Sequence, residues 1–199
     1  AIMLSLVLLG IAIGGAAAPR LARLQCSWVA IGGSLAVVAG YALAGGSLGP
    51  EKSGLVAFAV PLMVPAAILS GALLTLLGAQ LRADSGNPQP AIGTLTTANT
   101  FGAALGAALA GLVLLPRLGM EWSLFILAAG YVLLAALVAK PSRLALPLAV
   151  GAAGLFLFPF GRMDAHLAAA ARPYAQRDGS RVVHVAQGPT TTFQLLQRE

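Results

Sequence analysis

Six stretches of this chain contain no Asp, Glu, Lys or Arg: residues 1–19, 27–50, 53–81, 85–116, 122–139 and 144–161. Each reaches the roughly 18 residues that a helix needs to cross a hydrocarbon core about 30 Å thick. Lipid offers no hydrogen-bond partner, so a crossing segment must satisfy its own N–H and C=O groups, as an α-helix does. Strands of a membrane barrel alternate apolar and polar faces, and these runs show no such alternation. Hydrophobic residues make up 58% of the chain and charged residues only 9%. A soluble domain carries about 25% charge, so these residues cannot cover a water-facing surface. The expected fold is all-α and membrane-embedded, a bundle of about six transmembrane helices with a short C-terminal β-hairpin stub.

The spans fall at about 1–18, 27–47, 55–80, 93–115, 122–139 and 144–160. Small residues recur at helical spacing, as Gly10 and Gly14 in the first and Gly102, Gly106 and Ala110 in the fourth. Such faces let helix backbones approach closely and gain dispersion contacts where lipid is as apolar as leucine. Pro61 and Pro65 each remove a backbone donor and predict a kink around 61–65. Ser85-Gly86-Asn87-Pro88 is a turn-rich loop, and Pro116 to Gly119 ends the fourth span. The sixth span is short and contains Pro147 and Pro159.

After Gly161 the composition changes: residues 162–199 carry five arginines, both histidines and three acids. Three parts follow, a helical domain over 1–160, a linker over 161–180, and a hairpin over 181–199 that opens a truncated soluble domain. Within the linker, Asp164 to Ala171 can form an amphipathic surface helix. Val182 to Val185 and Thr191 to Leu195 alternate around Gly188-Pro189, the pattern of two strands and a turn.

Loops one, three and five hold Arg20, Arg23, Arg82, Lys140 and Arg143; loops two and four hold Lys52 and Arg117. The positive-inside rule places the odd loops in the cytoplasm. Six crossings then put the tail outside, whereas a 144–160 segment lying in the interface would keep it cytoplasmic.

The net charge of +6 belongs to these flanks, which anchor to anionic headgroups. There is no basic run longer than two and no aromatic–basic interleaving, so no nucleic-acid partner is expected. Cys26 is alone and can form no internal disulfide. All six acids (Glu51, Asp84, Glu121, Asp164, Asp178 and Glu199) fall outside the expected spans, whereas proton relays and cation sites usually need an intramembrane carboxylate or histidine. No metal, nucleophile or nucleotide motif is present, so no catalytic, cofactor-binding or metal residue is assigned. The main intramembrane polar cluster is Thr94, Thr96, Thr97, Asn99 and Thr100. Asn99 can contact a solute or hydrogen-bond a neighbouring helix; helix packing carries more weight, and Asn99 joins Gly10, Gly14, Gly102, Gly106 and Ala110 as a packing residue.

Thr97-Ala98-Asn99-Thr100-Phe101-Gly102-Ala103-Ala104-Leu105-Gly106, running on to Leu115-Pro116-Arg117-Leu118-Gly119, resembles a glycine-rich helix and corner of bacterial membrane-bound spermidine synthase-like proteins. These are also labelled fused major-facilitator/spermidine synthase. Leu9 to Gly14 with Arg20 and Arg23 is similar to that family's early helix end. Pro65 to Leu74 is similar in part to another of its helices, whose second proline has no counterpart here. Arg181 to Gln194 resembles the opening hairpin of the aminopropyltransferase domain.

The resemblance implies a multi-pass protein of the bacterial inner membrane that anchors its own C-terminal domain. That domain would use decarboxylated S-adenosylmethionine as donor and a polyamine as ligand, and its nucleotide loop and catalytic Asp have no counterpart in residues 1–199. Two other readings stand beside it, a major-facilitator-like transporter segment moving a small solute and a structural membrane module.

Overall fold

The structure is a computed structural model; it describes residues 2–44, 52–85, 88–165, 176–177, 181–187 and 192–197. The helices are α1 (Ile2–Leu21), α2 (Cys26–Ala44), α3 (Lys52–Ser85), α4 (Pro88–Leu109), α5 (Leu115–Val138) and α6 (Ala145–Phe156). A π-helical turn, Ala110–Leu114, joins α4 to α5, and a 3-10 turn, Pro141–Arg143, precedes α6.

Among the described residues, four helical stretches are long and apolar enough to cross a membrane: Met3–Leu21, Cys26–Leu43, Ala59–Asp84 and Ile92–Val138. The six expected spans are therefore not six separate long helices. The fourth and fifth are joined into one run of 47 residues. Pro116 does not stop this run, because the chain widens just before it. In the π turn the Leu115 amide donates five residues back, to the Ala110 carbonyl, and the extra residue makes room for the proline ring. The break comes at Gly119, whose φ of 76° and ψ of 179° interrupt the helix. The sixth expected span is a helix of 12 residues, too short to cross by itself at about 1.5 Å per residue.

Packing centres on α2. Along the parallel α1–α3 pair the backbones touch. A Cβ added to Gly10 would stand 2.9 Å from Ala67 Cβ, and one at Gly14 only 1.8 Å from the Ile68 carbonyl oxygen. Reciprocally, a Cβ on Gly71 would meet the Ile11 carbonyl oxygen at 2.2 Å. The antiparallel α2–α3 pair uses Gly40 in the same way. Its missing Cβ would lie 2.5 Å from the Pro61 carbonyl oxygen, the oxygen that Pro65, having no N–H, leaves without its helical donor. The expected Pro61–Pro65 kink thus does not interrupt α3, which stays helical from Lys52 to Ser85.

On its other side α2 holds α5 and α6. Ala30, Ile31, Val37 and Tyr41 are buried there or against α3, with Ala128 and Ala135 of α5 fully buried. α4 stands apart: Leu95 packs on Gly78 of α3, while Phe101, Leu105 and Leu109, and Leu112 in the π turn, are exposed.

β1 (Arg181–Gln187) pairs antiparallel with β2 (Thr192–Gln197), Arg181 opposite Gln197 and Gln187 opposite Thr192, with a bulge between Val182 and His184. β1 lies against α5. Residues 162–165 are helical; the rest of the expected surface helix to Ala171, the loop at Gly188-Pro189, and most of loop two lie outside the described residues.

Candidate functional site

At one end of the bundle three parts of the chain converge on a single carboxylate. Gly119 makes the corner between α4 and the body of α5, in backbone space that is essentially restricted to glycine. The Ser123 hydroxyl donates to the Gly119 carbonyl at 2.6 Å and steadies that corner. Glu121 follows in the first turn after the break, where free backbone amides favour an anion.

Both Glu121 oxygens are engaged. Oε1 accepts from the Tyr41 hydroxyl at 2.6 Å and from the Met163 amide at 2.8 Å. Oε2 accepts from the Gly161 amide at 2.9 Å. Gly161, with a φ of 84°, turns the chain so that its own amide and that of Met163 point at the same group. Between them, the Arg162 guanidinium donates to the Ala42 carbonyl in the last turn described for α2. The knot therefore ties the end of α2, the start of α5 and the segment after α6.

Beneath it lies an aromatic layer. Tyr41 stacks on Phe158 with centroids 5.4 Å apart, Phe125 meets Phe158 edge-on at 5.6 Å, and Phe160 fits between Phe158 and Trp122. Offset and edge-on arrangements are those the ring quadrupoles favour. Phe158 is buried, so the rings shield the carboxylate from the apolar interior side.

A second polar contact lies deeper. The Ser70 hydroxyl donates to the Ala66 carbonyl at 2.8 Å and bonds the Tyr131 hydroxyl. With its proton committed to Ala66, Ser70 is the acceptor and Tyr131 the donor. Tyr131 reaches across Gly33, where an added Cβ would come within 2.8 Å of the ring, so the contact joins α2, α3 and α5. Ser27 and Ser34 are fully buried on α2, and neither hydroxyl has a partner among the described residues.

The residues singled out from sequence divide into two groups. Gly10 and Gly14 lie at the α1–α3 contact. A Cβ added to Gly102 or Gly106 would meet no other part of the described residues within 4 Å, Asn99 is exposed, and Ala110 starts the π turn. The small face of α4 thus meets no other helix among the described residues. Sequence reasoning passed over Glu121 and Tyr41. The signal available was a lone acid two residues past a glycine, between two apolar runs.

Among the described residues no group of three or more His, Cys, Asp or Glu could hold a metal ion. Glu121, with donors on both oxygens, is arranged as an anchor. These features define a helical protein of membrane-spanning type whose helices are clasped at one end by a buried-edge carboxylate. No family model, curated protein or solved structure matches the chain.

Proposed function

We propose that this chain is the membrane-embedded module of a spermidine synthase-like protein of the bacterial inner membrane. In this reading a bundle of about six spans anchors a soluble aminopropyltransferase-like domain, of which β1 and β2 are the opening hairpin. The observation that carries it is the order of parts: an apolar helical bundle, a polar linker, and then an antiparallel strand pair. A lone two-stranded pair is marginal in water, so β1 and β2 suit the start of a larger sheet.

The stretch Leu115 to Gly119, which resembles the family's helix corner, bends at Gly119 in this chain. Pro116 is accommodated by the π turn and Gly119 supplies the positive φ. The donor would be decarboxylated S-adenosylmethionine and the acceptor a polyamine; the nucleotide loop and catalytic Asp of such a domain have no counterpart in residues 1–199.

The test is to express the chain with the sequence that follows residue 199 in its gene, and to assay aminopropyl transfer from decarboxylated S-adenosylmethionine to putrescine. Transfer, or donor binding, supports the reading. Neither would sink it.

A further inference from the structure

The contacts of α6 trace a path from one end of the bundle to the other. Its first half starts beyond the end of α5, after Lys140 and the Pro141–Arg143 turn. A Cβ on Gly151 would touch Ile31 of α2 and Val132 of α5, and one on Gly154 would touch Leu35. Phe158 then stacks on Tyr41 near the end of α2, and Gly161 bonds Glu121 at the start of α5. α6 and the segment after it therefore climb α2 in the same direction as α2 itself runs. The 12 helical residues of α6 cover about 18 Å, and Leu157 to Phe160 complete the distance to the Glu121 knot.

A segment lying in the interface near Lys140 would leave Gly161 beside the end of α5, not its beginning. Phe156 and Leu157 are 90% and 73% exposed, which suits side chains that face lipid along a crossing.

We propose that Glu121 is a latch that holds the chain where it leaves the bundle, so that the tail emerges on the membrane face of loops two and four. That face is opposite Arg20, Arg23, Arg82, Lys140 and Arg143. The proposal requires only that the bundle spans a membrane and does not rest on the aminopropyltransferase reading. One consequence concerns orientation. With the tail on the even face, its five arginines join Lys52 and Arg117 there, opposite the five basic residues of the odd loops. Arginines spread along a long tail carry little weight in the positive-inside count, so the latch, not the tail's charge, fixes which loops the tail shares a face with.

The experiment uses the full chain in its native membrane, with Cys26→Ala as background and single cysteines at Arg82→Cys or Arg177→Cys. Both native positions are exposed. A membrane-impermeant maleimide is applied to intact cells and to inverted vesicles. Labelling of the two positions from opposite sides is the expected result, and labelling from the same side overturns the crossing.

The latch itself is read by trypsin cleavage after Arg162 in detergent-purified chain. Glu121→Ala should speed cleavage there roughly tenfold, since charged hydrogen bonds are lost, and Tyr41→Phe should speed it less. Labelling at Arg82→Cys serves as the control for folding. Unchanged cleavage in both variants overturns the latch. If Glu121→Ala fails to fold, Tyr41→Phe alone decides, with acceleration supporting the latch and its absence overturning it.

Discussion

The Tyr41 hydroxyl donates to Glu121 Oε1 at 2.6 Å across 80 residues of sequence. This bond closes the end of α2 onto the start of α5, and the Met163 amide shares the same oxygen at 2.8 Å. A carboxylate that receives a hydroxyl and two amides stabilises by charge-assisted bonds, about 1.5–3 kcal/mol for a typical one. Its removal also leaves those donors without a partner at the edge of an apolar bundle.

Replacing Glu121 by Ala should destabilise the bundle by about 2–4 kcal/mol, because several donors lose one acceptor together. Tyr41→Phe should cost about 1–2 kcal/mol, since it removes one bond and keeps the ring on Phe158. Detergent-to-SDS unfolding of the single and double variants gives the coupling. Strict additivity of the two losses would show that the bond contributes nothing as a pair.

Glycines that look alike in sequence should respond with opposite sign. Gly14→Val places atoms against the Ile68 carbonyl, which is backbone and cannot rotate away. The helices must part, at a cost of about 1–3 kcal/mol or more. Gly102→Ala meets open space and should be neutral or stabilising by up to about 1 kcal/mol through helix propensity. The same unfolding assay reads both. A large loss at Gly102 would mean that a partner covers this face in the membrane.

The corner at Gly119 should not tolerate a side chain. Gly119→Ala forces an L-residue to a φ of 76°, with a strain of about 1–3 kcal/mol. It also shifts Glu121 relative to Tyr41. Pro116→Ala, by contrast, removes the ring that the π turn accommodates and should be tolerated. Circular dichroism melts of the two variants should therefore separate, with Gly119→Ala the lower. Equal midpoints would show that the corner carries no strain.

Ser70→Ala and Tyr131→Phe should couple weakly, by about 0.6 kcal/mol, the mean for side-chain hydrogen bonds between membrane helices. The contact lies inside the bundle, and Ser70 keeps its bond to the Ala66 carbonyl when the Tyr131 hydroxyl is removed. A double-mutant cycle by SDS unfolding measures this. Coupling above that between Tyr41 and Glu121 would reverse the ranking of the two contacts.

Part of the fold can be read directly from residues. The uncharged runs gave helices at each expected location, and the Gly10–Gly14 spacing coincides with a close helix contact. Gly102 and Gly106 have the same spacing and meet no other helix among the described residues, because spacing describes one helix surface and not the surface opposite. Pro116 reads as a helix end in sequence, yet one extra residue in the π turn carries the helix past it. Glu121 reads as a loop acid, since its three donors come from positions 41, 161 and 163 and no local pattern links them.

What the sequence alone determined was the solvent and the element. Long uncharged apolar runs cannot face water, and in lipid the backbone must bond to itself, so these runs become helices. What only the tertiary structure decided was the pairing: which small face meets a neighbour, which carbonyl freed by a proline is covered by a glycine, and which carboxylate collects the exit of the chain. Apolar helices differ little in how well they suit lipid, so their arrangement depends on a few close contacts and hydrogen bonds. Those exist only once residues far apart in sequence, such as Tyr41, Glu121 and Gly161, are brought to one place.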